Sequence, residues 1–156
     1  MKTDKATVQN EKDVVVFIIG MKIHKFFYVH QWIPIAKAMG TMLKELYQNK
    51  NHGFQNGELH LNWKGITVIQ YWDGFEQLET FAHEELHRGI WKEYYQKADM
   101  QKVVGIFHET YIVPAKNYEA IYVNMPEFGL GKARSLESID QKKKSSRQRL
   151  HRPKDE

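Results

Sequence analysis

The strongest pattern in the chain is a run of β-branched and apolar residues from Asp13 to Ile23, long and bounded, which predicts a buried central strand. From Ile33 the period changes. Ile33, Ala36, Met39, Leu43, Leu46 and Tyr47 recur at three- and four-residue spacing, predicting an amphipathic helix with Pro34 in its first turn. The Asn- and Gly-rich stretch 49–57 reads as a loop. Two short strands follow, Glu58–Trp63 and Ile66–Trp72, with Lys64-Gly65 as the hairpin turn between them. Asp73 suits the N-cap of a second helix from Phe75 to Ala98. A β-rich run from Val103 to Val113 stops at Pro114, and Tyr118–Asn124 adds a final short strand before Pro126.

The order β-α-β-β-α-β with one extra strand predicts an α+β, ferredoxin-like fold with an antiparallel sheet. Two helices cover one face of such a sheet. The strands are nevertheless apolar on both faces, since Val14, Val16 and Ile18 alternate with Val15, Phe17 and Ile19. One domain should not expose that much apolar surface, and a second copy of the same sheet would cover it, so a homodimeric barrel is expected. The 156 residues suit one domain, and 42% apolar with 13% aromatic content excludes global disorder. The absence of cysteine excludes a disulfide scaffold and a Cys-ligated metal or nucleophile. No apolar run approaches the roughly 20 residues of a membrane span, and no signal peptide is visible, so a cytoplasmic protein with no membrane partner is expected.

Charge divides the chain. Residues 132–156 hold nine Lys/Arg against four acids, a net of +5, which leaves −1 for residues 1–131. With so few apolar residues the basic segment reads as a disordered tail, and 1–12 as a flexible N-terminus, flanking a domain over 13–131. A solubilising tail is favoured over an arm that binds nucleic acid or a membrane surface.

His108-Glu109-Thr110-Tyr111-Ile112-Val113-Pro114, then Tyr118-Glu119-Ala120-Ile121-Tyr122-Val123-Asn124-Met125-Pro126 and Gly129-Leu130-Gly131, resemble the C-terminal signature of the monooxygenase-like family found beside fungal fumagillin polyketide pathways. Tyr71-Trp72 leading into Phe75-Glu76-Gln77-Leu78, with His83, His87 and Trp91 beyond, is similar as well. The resemblance spans about residues 13–131. It implies the dimeric α+β barrel superfamily, which includes cofactor-independent monooxygenases and several haem-binding enzymes.

Candidate chemistry centres on the second helix. His83-Glu84-Glu85-Leu86-His87 fits the zincin string H-E-x-x-H. The extended form would need Gly and His where Ile90 and Glu93 stand, and the surrounding pattern is that of another fold, so no metal site is expected. On a helical count His83, His87, Trp91 and Tyr94 share one flank, about 80° to 160° round from Phe75. Such a flank suits either the wall of an aromatic-ligand pocket or a semi-buried packing edge. A neutral-range imidazole there could act as a base or ligate haem iron. His108 and Glu109 sit mid-strand on opposite faces and complete the catalytic candidates. Trp32, Asn62, Trp63, Trp72 and Tyr111 could join Trp91 and Tyr94 in binding substrate. No phosphate loop, Rossmann glycine pattern or Gly-x-Ser-x-Gly elbow is present. The resemblance implies, as the leading expectation, a small monooxygenase or related enzyme acting on an aromatic or polyketide-like hydrophobic ligand without an organic cofactor. The alternatives are a haem protein with His83 or His87 as axial ligand, or a non-catalytic binding module.

Overall fold

Four strands form the main sheet: β2 (Val14–Ile23), β3 (Phe54–Asn62), β4 (Gly65–Trp72) and β5 (Val104–Val113). The preceding strand, β1 (Lys5–Val8), belongs to a separate small sheet. The computed structural model describes residues 5–49, 53–96 and 102–152, without the side chains of Glu85, Leu86, His87 and Ile90. The main sheet is antiparallel in the order β3-β4-β2-β5. This is the ferredoxin-like order. β2 is central because every residue can be apolar on both sides: Ile18 faces Ile69 and Glu109 in the ladder, Ile19 faces Val68 and His108.

Helix α1 (Val29–Gln48) crosses the face carrying Val15, Ile19, Met21 and Ile23, and buries Ile35, Met39, Met42 and Leu46 against it. It starts one turn before the expected Ile33, so Pro34 lies inside the helix. The expected second helix is two, α2 (Phe75–Ala82) and α3 (Glu85–Gln96). The break falls at His83 and Glu84, whose N–H groups reach back to the Thr80 and Phe81 carbonyls in a tightened turn. Residues 97 and 98 of the expected helix lie outside the described residues. Gly74, not Asp73, caps α2, and Asp73 instead accepts bonds from Gln55 and Arg134. The expected 49–57 loop is shorter, since β3 begins at Phe54.

Both ends of the chain depart from expectation. β1 lies within the segment expected to be flexible. It sits between β6 (Tyr122–Val123) and β7 (Leu136–Ser138), pairing antiparallel with each. The final strand expected over Tyr118–Asn124 is thus shortened to β6 and joins this second sheet. Of the segment expected to be a disordered tail, the described part, 132–152, is folded. The main chain and one buried ion pair hold it, which is why its thin apolar content misleads. Arg149 has its side chain 5% exposed and pairs with Glu119 at 2.6 Å. It also donates to the Lys143 and Lys144 carbonyls at 3.0 Å each. Asn10 bridges the Tyr118 and Arg149 carbonyls, and a capping box at Ser145 and Gln148 starts the last helical turn, Ser146–Arg149.

The segment around Gly129 lies on the face of β3 and β4 opposite the helices. Glu58 accepts the Gly129 N–H at 3.2 Å and an Asn56 amide N–H at 3.1 Å, with Lys132 3.7 Å away. Gly129 has φ +53°, where a side chain would be strained. Burial works to raise the Glu58 pKa, but those hydrogen bonds and the Lys132 charge outweigh it and hold the carboxyl below its usual range.

Candidate functional site

Between the sheet and the helices a small chamber of about 20 Å³ remains, lined by Phe17, Ile19, Val68 and Gln70 from the sheet, Met39 and Met42 from α1, and Phe81 from α2. The inner positions of β4 are Ile66, Val68, Gln70 and Trp72, so alternation delivers one amide into an otherwise apolar wall. Gln70 is 6% exposed. Its Oε1 accepts the Trp72 indole N–H at 3.0 Å. An indole nitrogen only donates, which fixes which end of the amide faces Trp72. The NH₂ group of Gln70 therefore has no hydrogen-bond partner among the described residues and is available to an occupant of the chamber. Apolar walls with a single placed polar group are the usual composition of a small-molecule site.

At the edge of the chamber Phe17 has its ring 5.7 Å from that of His108, on the same face of the sheet. His108 is exposed at this margin, where the helices no longer cover β5. Two larger grooves, of about 250 and 260 Å³, flank the small sheet. Their walls are mostly charged or amide-bearing and hold ion pairs such as Glu137–Lys143 and Asp73–Arg134, with the buried Arg134 Nε left without a hydrogen-bond partner among the described residues.

The expected site residues are dispersed. Trp72 is fully buried core. Tyr94 is core too, its hydroxyl donating to the Val104 carbonyl at 2.9 Å, and burial raises its pKa. Trp91 packs partly buried against the core and stacks on Tyr95. His83 ends α2 on the exposed side, Nδ1 2.7 Å from the Glu79 carbonyl oxygen. The side chain of His87 lies outside the described residues. The break at 83–84 is the reason the expected flank does not form one wall, because the residues after it no longer follow the count from Phe75. Asn62 accepts the Lys64 N–H in the β3–β4 turn, and Trp63 is exposed beside it. Trp32 donates to the Phe26 carbonyl at 2.9 Å. Glu109 and Tyr111 are on the outer face of β5, the phenol donating to the carboxylate at 2.7 Å. That bond raises the Tyr111 pKa, so the phenol holds its proton.

Of the expected residues, His108 lies at the margin of the chamber and Trp72 lies behind its wall, bonded to Gln70 and 5.6 Å from the Phe81 ring. The chamber's own residues, Phe17, Met39, Met42, Gln70 and Phe81, were not among the sequence candidates. One signal pointed to them: Gln70 is a lone amide at a core position of an alternating strand.

The family described as Monooxygenase af470-like matches residues 14–130. The chain is 39% identical over 131 residues to a curated protein, Monooxygenase af470 of Aspergillus fumigatus, an alignment covering 76% of this chain and 46% of that protein. The chain thus spans about half the length of the curated relative it matches. Among solved structures, an aldoxime dehydratase (OxdRE) in complex with butyraldoxime aligns with TM-score 0.69 at 14% identity, covering 96% of this chain and 43% of that one. A second aldoxime dehydratase structure aligns with TM-score 0.65 at 16% identity, over 80% of this chain and 39% of the other. At such identities these two speak for the fold alone.

Proposed function

The chain belongs to the Monooxygenase af470-like family, and from that premise we propose that it is a small monooxygenase whose site is the chamber between sheet and helices, using no organic cofactor. The observation that carries this reading is the free NH₂ of Gln70 in an apolar wall beside His108. The substrate class is an aromatic ketone with an acidic methylene. His108 takes the methylene proton. The carbonyl oxygen, gaining charge as the enolate forms, receives the Gln70 N–H, whose direction Trp72 has already set, so little reorganisation is needed. The carbanion reacts with O₂. One oxygen atom becomes a new carbonyl at the former CH₂, the other leaves as water with the two hydrogens, and the electrons balance without an external reductant. Apolar walls exclude bulk water from the anion. Entry requires that the flexible Met39 and Met42 side chains and the Phe17 ring move, because 20 Å³ holds about one water.

Haem fits this chamber poorly, because no described histidine is among the residues that line it. We further propose a homodimer through the outer faces of the main sheets, where Phe107 and Tyr111 are 43% and 50% exposed on the side opposite the helices.

Oxygen uptake by chelator-treated protein, with ¹⁸O₂ and a panel of hydroxyaryl ketones, tests the reading. One O₂ consumed per substrate with one label in the product is expected. Gln70→Leu should lower kcat roughly 10²-fold and His108→Ala about 10²–10⁴-fold, both with the fold retained. Turnover with no label from O₂, or full activity in Gln70→Leu, would contradict it.

A further inference from the structure

At one end of the main sheet three segments converge: the end of β2 with the loop to α1, the β3–β4 turn, and the start of β5. The Ile23 N–H donates to the Lys64 carbonyl at 2.7 Å and the His24 N–H to the Val103 carbonyl at 2.7 Å, fixing the three together. This end carries the most exposed apolar side chains described: Phe27 is 92% exposed, Trp63 88% and Leu61 75%, with Phe26, Tyr28 and Val29 beside Phe27 in sequence. Exposed aromatics in such number demand an explanation. They are not accidents of a loose loop. The Trp32 indole ties down the Phe26 carbonyl, the Phe26 ring lies 5.8 Å from Trp32, and Lys25 sits over the Tyr28 ring. The loop is braced so that Phe27 projects.

Charge identifies what it projects toward. Segments 22–32 and 59–67 contain Lys22, Lys25 and Lys64 with His24, His30 and His60, and no aspartate or glutamate. Residues 141–152 are also basic and free of acids, but no large apolar side chain is exposed there, so the two features coincide at the sheet end and not in the C-terminal segment. An acid-free lysine rim around projecting Trp and Phe is the chemistry of an anionic lipid interface: the rings enter the headgroup boundary and the lysines meet the phosphates. The patch lies at the strand ends, away from the outer sheet face offered to a second copy. We propose that this end of the protein docks on anionic membrane surfaces, with Phe27 and Trp63 as the inserted side chains. Among the described residues no helix is long and apolar enough to cross a membrane, and a surface contact needs none.

Co-sedimentation of the full chain with phosphatidylcholine vesicles, with and without phosphatidylserine, reads this directly. Binding is expected only when phosphatidylserine is present, and raised salt should weaken it. Phe27→Ala with Trp63→Ala should reduce the partition coefficient at least tenfold. Lys25→Gln with Lys64→Gln should reduce it roughly 30-fold at about 1 kcal/mol per lysine. Lys142→Gln with Lys144→Gln, in the basic C-terminal segment, should leave it unchanged. Circular dichroism of each variant checks its fold. Three results would overturn the proposal: no co-sedimentation of the wild-type chain, binding undiminished in the Phe27/Trp63 variant, or binding lost only in the Lys142/Lys144 variant. A wild-type chain that ignores vesicles but loses oligomeric mass in the Phe27/Trp63 variant would assign the patch to a second copy instead.

Discussion

Replacing Arg149 by Ala removes a guanidinium that is 5% exposed and makes bonds to four groups: Glu119 Oε2 at 2.6 Å, the Lys143 and Lys144 carbonyls, and Ser146 Oγ at 3.1 Å. Glu119 loses its charged partner and keeps only the Ser146 hydroxyl, and two carbonyls lose donors. Breaking a buried ion pair by deleting one member costs about 3–5 kcal/mol, and the Glu119 side chain, 24% exposed, recovers part of that from water. An expected loss of about 2–4 kcal/mol follows, or roughly 4–16 °C in Tm for a chain of this size. The hydrogen bond from Arg149 is the main cause holding the Glu119 carboxyl below its ordinary range, against the opposing effect of burial. A lowered pKa stabilises the fold above the unfolded glutamate value, and that stability is lost as pH falls through the folded value. The deficit of Arg149→Ala should therefore be full at neutral pH and shrink in acid. Arg149→Lys keeps the charge but cannot serve all four groups, so it should fall between. Thermal melts followed by circular dichroism, at neutral and acid pH, measure all three proteins. A Tm for Arg149→Ala within about 1 °C of wild type would refute the reasoning and return residues 132–152 to a tail that contributes nothing.

Glu58→Gln should cost about 1–2 kcal/mol at neutral pH, because the Gly129 and Asn56 donors lose a charged acceptor, and the gap should close as acid protonates the wild-type carboxyl. Urea titrations at several pH values check the sign. Tyr94→Phe deletes the buried bond to the Val104 carbonyl and should lower stability by about 1 kcal/mol, with turnover per folded molecule unchanged. Gly65→Ala would drive a methyl into the Met21 carbonyl oxygen and should destabilise by about 1–3 kcal/mol, read as an earlier urea midpoint with unchanged m-value.

The four main strands were legible because β-branched alternation leaves little choice: Val14 to Ile23 can lie only at the centre of a sheet buried on both faces. The helix break at His83–Glu84 was not. Apolar spacing continues across it, and one tightened turn changes where Tyr94 lands, from the expected pocket flank to the core. The order of the C-terminal segment was hidden for a different reason. Its stability comes from main-chain pairing with β1 and from one buried cation, and composition counts that cation as a mark of disorder. The chamber was half legible, since Gln70 interrupts the inner face of β4, but the contribution of Met39 and Met42 depends on how α1 lies across the sheet.

The claim that ligand binds between sheet and helices is tested most directly by ¹³C-methyl methionine NMR during titration with a hydroxyaryl ketone. Met39 and Met42 line the chamber, whereas Met125 is exposed near β6. The account predicts saturable shifts at Met39 and Met42, abolished by a Phe17→Trp substitution that narrows the entrance, with Met125 unmoved. Saturable binding that shifts Met125 and leaves Met39 and Met42 in place would contradict it.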